Sequence, residues 1–131
     1  MKALPFFAAL LLVITFSSCK QTKQAGIVAD QFYEFLMQKN YDGAIELIHS
    51  DALMITAKDD WLQLLQNKES IGKMKSFERN MGVNTKINNG VTTVSLNYTT
   101  TYGDTEFKDE IILRNEGKDF KVYGYSTNAK Y

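Results

Sequence analysis

Tyr98 and Asp109 are the one acid–phenol pair this chain brings together by spacing. Gly103-Asp104 has Gly at the first central position, which suits a type II′ hairpin turn. A two-residue turn there sets Tyr102 opposite Thr105, Thr100 opposite Phe107, Tyr98 opposite Asp109, Leu96 opposite Ile111 and Val94 opposite Leu113. Apolar residues then share one face and polar ones the other. Asp109 is the exception, a carboxylate on the apolar face. Burying it without partners is costly. Two placements follow: water beyond the helical cover, or a polar pocket shared with the Tyr98 hydroxyl. Inward charges near hairpin ends commonly guard strand edges, which favours water. Trp61 could line the mouth of such a pocket, although its spacing with Leu64 and Leu65 is that of a core residue.

The other chemistry-bearing residues are few. His49, the sole histidine, falls at a helix end, and Asp51 beside it fits ordinary turn chemistry. Cys19 is the sole cysteine, so no internal disulfide forms. One histidine and one cysteine leave zinc sites and Cys/His nucleophiles without material. No phosphate-binding Gly-rich loop and no Gly-x-Ser-x-Gly elbow occurs, and no cofactor or metal is expected.

Cys19 has a different reading. Lys2 opens a positive n-region, and residues 3–16 form an apolar stretch too short to span a membrane and suited to a signal peptide. It ends in Phe16-Ser17-Ser18-Cys19, which resembles a bacterial lipobox with Phe in place of the usual Leu. The expected organisation is a leader over residues 1–18, a lipidated Cys19 opening a polar tether over 19–24, and a single domain over 25–131. The tether Lys-Gln-Thr-Lys-Gln carries no acidic run resembling a surface-export signal. The expected location is therefore the bacterial cell envelope, anchored to a membrane facing the periplasm, with the outer membrane favoured. The 15 basic residues match 15 acidic ones. Losing Lys2 leaves a slight acidic excess, so no nucleic-acid partner is indicated.

Three helices and four strands must position these residues. In residues 25–39, Val28, Phe32, Phe35 and Leu36 share a helical face, with Asp30 and Glu34 opposite. Asn40 caps a second helix over 41–49. Thr56-Ala57-Lys58-Asp59 has the form of a capping box for a third helix to about Ile71. There Trp61, Leu64, Leu65 and Lys68 share a face, with the Lys68 head in water. Gly82 marks a bulge in the first strand. Asn89-Gly90 forms a type I′ turn that sets Val83 opposite Leu96 on the core face. In the last strand Phe120, Val122 and Gly124 alternate with Lys121, Tyr123 and Tyr125, which cover the outer side.

This is an α+β layout, helices packed on an antiparallel meander. Phe32–Ile48, Trp61–Gly72 and Glu110–Tyr125 resemble the opening helix pair, third helix and closing hairpin of the nuclear transport factor 2-like superfamily. The resemblance covers residues 25–127 and extends to its SnoaL-like and cystatin-like cone folds and small bacterial lipoprotein members. It implies a curved sheet wrapping a helical face into a cone. The superfold hosts enzymes, adaptors and binding modules, so it does not fix function. Some of its enzymes use an acid with a tyrosine in the cone, as base and oxyanion donor. The first functional expectation is a non-enzymatic domain that binds a small ligand or protein partner. The second is an isomerase- or dehydratase-like enzyme using Tyr98 and Asp109. The third is a structural module that forms a homodimer through its sheet.

Overall fold

The structure, a computed structural model, describes the backbone of residues 4–130 and the side chains of residues 20–130. The leader over 1–18 and the lipid site Cys19 lie outside the residues whose side chains are described. The order is α1 (Leu4–Met37), α2 (Tyr41–Glu46), α3 (Ser50–Ile55), α4 (Lys58–Gln66), a 3-10 turn (Asn67–Ser70), then β1 (Met74–Asn88), β2 (Val91–Tyr102), β3 (Thr105–Glu116) and β4 (Asp119–Ala129). The fold is α+β, with one antiparallel sheet in the order β1-β2-β3-β4.

Both short hairpin turns form as their residues demand. Gly103 has φ +59°, and Tyr98 pairs with Asp109, Leu96 with Ile111 and Val94 with Leu113. Asn89 and Gly90 both have positive φ, as a type I′ turn requires. The bulge at Gly82 is present, between Arg79 and Val83. Val83 does stand opposite Leu96, but it is 49 % exposed, on the edge strand directly after the bulge.

One face of the sheet packs on α1, which contacts all four strands. On one flank, Tyr33 stacks on Phe77 of β1 with ring centroids 5.6 Å apart. On the other, Phe32 meets Tyr125 of β4 at 5.9 Å. Phe32, Tyr33, Ala29 and Ala25 are fully buried against Val94, Leu96, Ile111, Leu113 and Val122. Each large side chain so buried contributes about 1.5–3 kcal/mol of transfer free energy. At Gly26 an added Cβ would stand 2.2 Å from Arg79 Nη1, so glycine lets the guanidinium lie on the helix.

Several local expectations give way. Residues 20–24 are helical as part of α1, and the Thr22 and Thr85 hydroxyls lie 3.2 Å apart. His49-Ser50-Asp51 does not end a helix; it starts α3, a six-residue element too short to show periodicity. The capping box at Thr56 is not made: Thr56 closes α3, and α4 starts from Ala57 without a side-chain cap. Asn40 does cap α2, its Oδ1 accepting from the Gly43 amide at 3.0 Å. The largest change is in β4. The β3–β4 register shifts between Ile112 and Leu113, leaving Tyr123 without a paired residue. One extra residue reverses the phase of alternation. Tyr125 therefore points to the core face, and Gly124 to the outer face against Ile112.

Candidate functional site

Asp109 lies at the centre of the sheet's inner face. It is 2 % exposed, in neither water nor a bulge. Strand pairing sets Tyr98 on one side of it and Thr127 on the other. Alternation brings Thr100 and Tyr125 to the same face, α1 supplies Tyr33, and the 3-10 turn supplies Lys68.

Five side chains donate to the two carboxylate oxygens. Oδ1 accepts from Thr127 Oγ1 at 2.5 Å and from Lys68 Nζ at 3.5 Å. Oδ2 accepts from the hydroxyls of Tyr33 at 3.0 Å, Tyr125 at 3.1 Å and Thr100 at 3.4 Å. A carboxylate has about four lone-pair sites, so this set saturates it. It is this saturation that makes burial of the charge tolerable.

Lys68 is the second buried charge. Trp61, Leu65 and Lys68 form the buried stripe of the α4 segment, whereas Leu64 is 39 % exposed. The Lys68 head is not in water. Nζ donates to the Tyr125 hydroxyl at 3.1 Å and lies 4.4 Å from the Phe107 ring centroid and 4.8 Å from that of Tyr102. Burial pushes its ammonium below the ordinary value of 10.5, against the opposing pull of Asp109. Burial, the first cause, and the nearby carboxylate hold the Tyr33 and Tyr125 hydroxyls well above 10, so both stay protonated donors.

Tyr98 and Asp109 are neighbours on the sheet but not partners. The Tyr98 hydroxyl donates to Asp30 Oδ1 at 2.5 Å, and Asp30 Oδ2 pairs with Arg79 Nη2 at 2.8 Å. Asp30 thus faces the sheet rather than solvent alone. Burial and this hydrogen bond raise the Tyr98 pKa. Trp61 is a core residue whose Nε1 is buried without a protein acceptor. His49 is a structural cap: Nδ1 accepts from the Asp51 amide at 3.1 Å, and Nε2 lies 3.2 Å from the Asn115 carbonyl. That pair of partners selects the tautomer with hydrogen on Nε2. Sequence patterning does not identify Tyr33, Lys68, Thr100, Tyr125 or Thr127 as partners of Asp109. Two signals were available. A lysine on an apolar helical face and an aspartate on an apolar strand face are each unstable alone, and together they make a pair.

The interior leaves the carboxylate no open side. The clefts lie outside. One of about 350 Å³ opens between α1 and the β3–β4 turn, lined by Ile27, Val28, Gln31, Leu47, Phe120 and Lys121 among others. That volume is in the range of small-molecule sites. Among the described residues no cluster of His, Cys, Asp and Glu has the arrangement to hold a metal ion, and no helix is long and apolar enough to cross a membrane. No known protein family and no curated protein matches this chain.

Proposed function

We propose that this chain is a lipid-anchored binding domain of the bacterial cell envelope, of the nuclear transport factor 2-like type, working without catalytic turnover. The observation that carries this reading is the saturation of Asp109. Five protein donors fill its oxygens, and burial closes it off. A general base must have a free lone pair within reach of a substrate proton. The candidate partner Tyr98 donates elsewhere, to Asp30. The outer face of β2, with Thr93, Ser95, Asn97, Thr99 and Thr101, is polar. That supports ligand or partner binding over assembly through the sheet face, since obligate homodimer interfaces are more apolar. The lipid on Cys19 holds the domain at a membrane facing the periplasm.

The test is a turnover screen over isomerase, dehydratase and hydrolase substrates. The expected result is no activity that depends on Tyr98 or Asp109. Turnover by the wild type that Tyr98→Phe and Asp109→Asn each abolish, in folded protein, would overturn the reading.

A further inference from the structure

We infer that the β1–β2 hairpin tip is a second membrane contact, which seats beside the Cys19 lipid in anionic headgroups. This rests on the lipid-anchor reading above.

The geometry starts from α1 and β1, which run antiparallel. Thr22 meets Thr85, Asp30 meets Arg79, and Tyr33 stacks on Phe77. Moving back along α1 toward Cys19 is therefore moving forward along β1 toward the Asn89-Gly90 turn. From Thr85 the strand runs four residues to the turn, about 13 Å at strand rise. From Thr22 the chain runs three residues to Cys19. Along α1 that is about 4.5 Å, and even a fully extended chain would reach only about 11 Å. The hairpin tip thus projects at least as far as the anchored residue. A bilayer close enough to take the acyl chains of Cys19 meets the tip.

The tip has the composition for that contact. Ile87 is 62 % exposed on the inner face, and Val91 is 39 % exposed on the outer face. Paired with Thr92 and Asn88, they put apolar surface on both sides of the turn. Val83 continues the inner stripe. Three exposed cations lie at this end: Lys20 and Lys23, on either side of Thr22 in α1, and Lys86 next to Ile87. An apolar tip among cations matches an anionic bilayer interface, where basic side chains bind headgroups and apolar ones enter the acyl boundary. The acids of this end are Glu116 and Asp119, which flank the adjacent β3–β4 turn, and Asp51 in the first turn of α3; Ser50 bonds Glu116, Asp51 lies 4.0 Å from His49 Nδ1, and Asp119 shares its cleft with Lys118 and Lys121.

The test uses the full lipidated chain in vesicles of phosphatidylethanolamine and phosphatidylglycerol. With Cys19 acylated, Ile87→Cys supplies the one free thiol for a nitroxide label. Asp104→Cys, at the turn on the opposite end, is the control. The measurement is the ratio of collision rates with oxygen and with a water-soluble nickel complex. The expected ratio is severalfold higher at 87 than at 104. It falls when phosphatidylcholine replaces phosphatidylglycerol, or when Lys20, Lys23 and Lys86 are together changed to Gln. A label at 87 as open to nickel as at 104, in protein still held on the vesicles, overturns the hairpin contact and leaves the anchor standing. A ratio that ignores both lipid charge and the three lysines overturns the headgroup assignment. Nitroxide uptake by Cys19 in the wild type refutes the anchor itself, and the hairpin contact with it. Ile87 is outside the core, so folding of the variant is checked simply by its thermal transition.

Discussion

Lys68 Nζ and Asp109 Oδ1 stand 3.5 Å apart with both side chains out of water, 7 % and 0 % exposed. Forty-one residues separate them in the chain. The pair pins the 3-10 turn after α4 to the middle of the sheet. Removing one partner leaves the other charge buried alone, which typically costs 3–5 kcal/mol.

A double-mutant cycle follows from this. Asp109→Asn and Lys68→Met should each lower stability by about 3 kcal/mol or more. The double variant should lose clearly less than the sum of the two. Asparagine is not a neutral replacement here, since its amide hydrogens would face donors. Urea unfolding measures all four proteins. Two small, additive losses would mean that the pair is not coupled.

Alkaline pH should unfold the protein. Tyr33 and Tyr125 are held protonated in the fold above their ordinary value of 10. Their contribution is complete below pH 10 and is lost as pH rises above it, because only the unfolded tyrosines ionise there. Each adds a slope of about 1.4 kcal/mol per pH unit. Lys68, lowered in the fold, works in the opposite sense, but only up to its ordinary value near 10.5. Tyrosinate absorbance should therefore appear together with loss of circular dichroism. Ionisation of all tyrosines near pH 10 with the fold intact would contradict the assignment.

Gly103→Ala should destabilise by about 1–2 kcal/mol from backbone conformation alone, given φ +59°. An added Cβ would also meet the Ile71 carbonyl oxygen at 2.9 Å. That contact loosens the packing of the 3-10 turn on the β2–β3 hairpin. Gly90→Ala has only the first penalty, because its Cβ position is open. The comparison is made on urea midpoints. Equal losses at the two sites would show that the Ile71 contact does not matter.

A palmitate analogue should label the wild type and leave Cys19→Ala unlabelled. Equal labelling of both proteins would remove the lipid anchor from the account.

The strand register was legible because both turns use residues with few alternatives, Asn89-Gly90 and Gly103. The α+β layout followed from the same alternation. The Asp109 cage was not, for three physical reasons. The Tyr123 bulge reverses the facing of Tyr125, and a bulge leaves little mark in local composition. Lys68 reads as a snorkelling side chain until a carboxylate is found opposite it. Tyr33 reads as one more apolar residue on a helix face, since its hydroxyl partner is 76 residues away. The turn residues set Tyr98 and Asp109 side by side, but cross-strand placement does not determine which hydroxyl reaches which acid.

The most direct measurement is carbodiimide coupling of the folded protein, read residue by residue by mass spectrometry. Asp109 is sealed in a saturated core, whereas the Asp104 side chain is fully in solvent. Asp104 should couple readily and Asp109 only after unfolding. Coupling of Asp109 in the native protein at a rate near that of Asp104 would reveal an open, reactive carboxylate and contradict the non-catalytic reading.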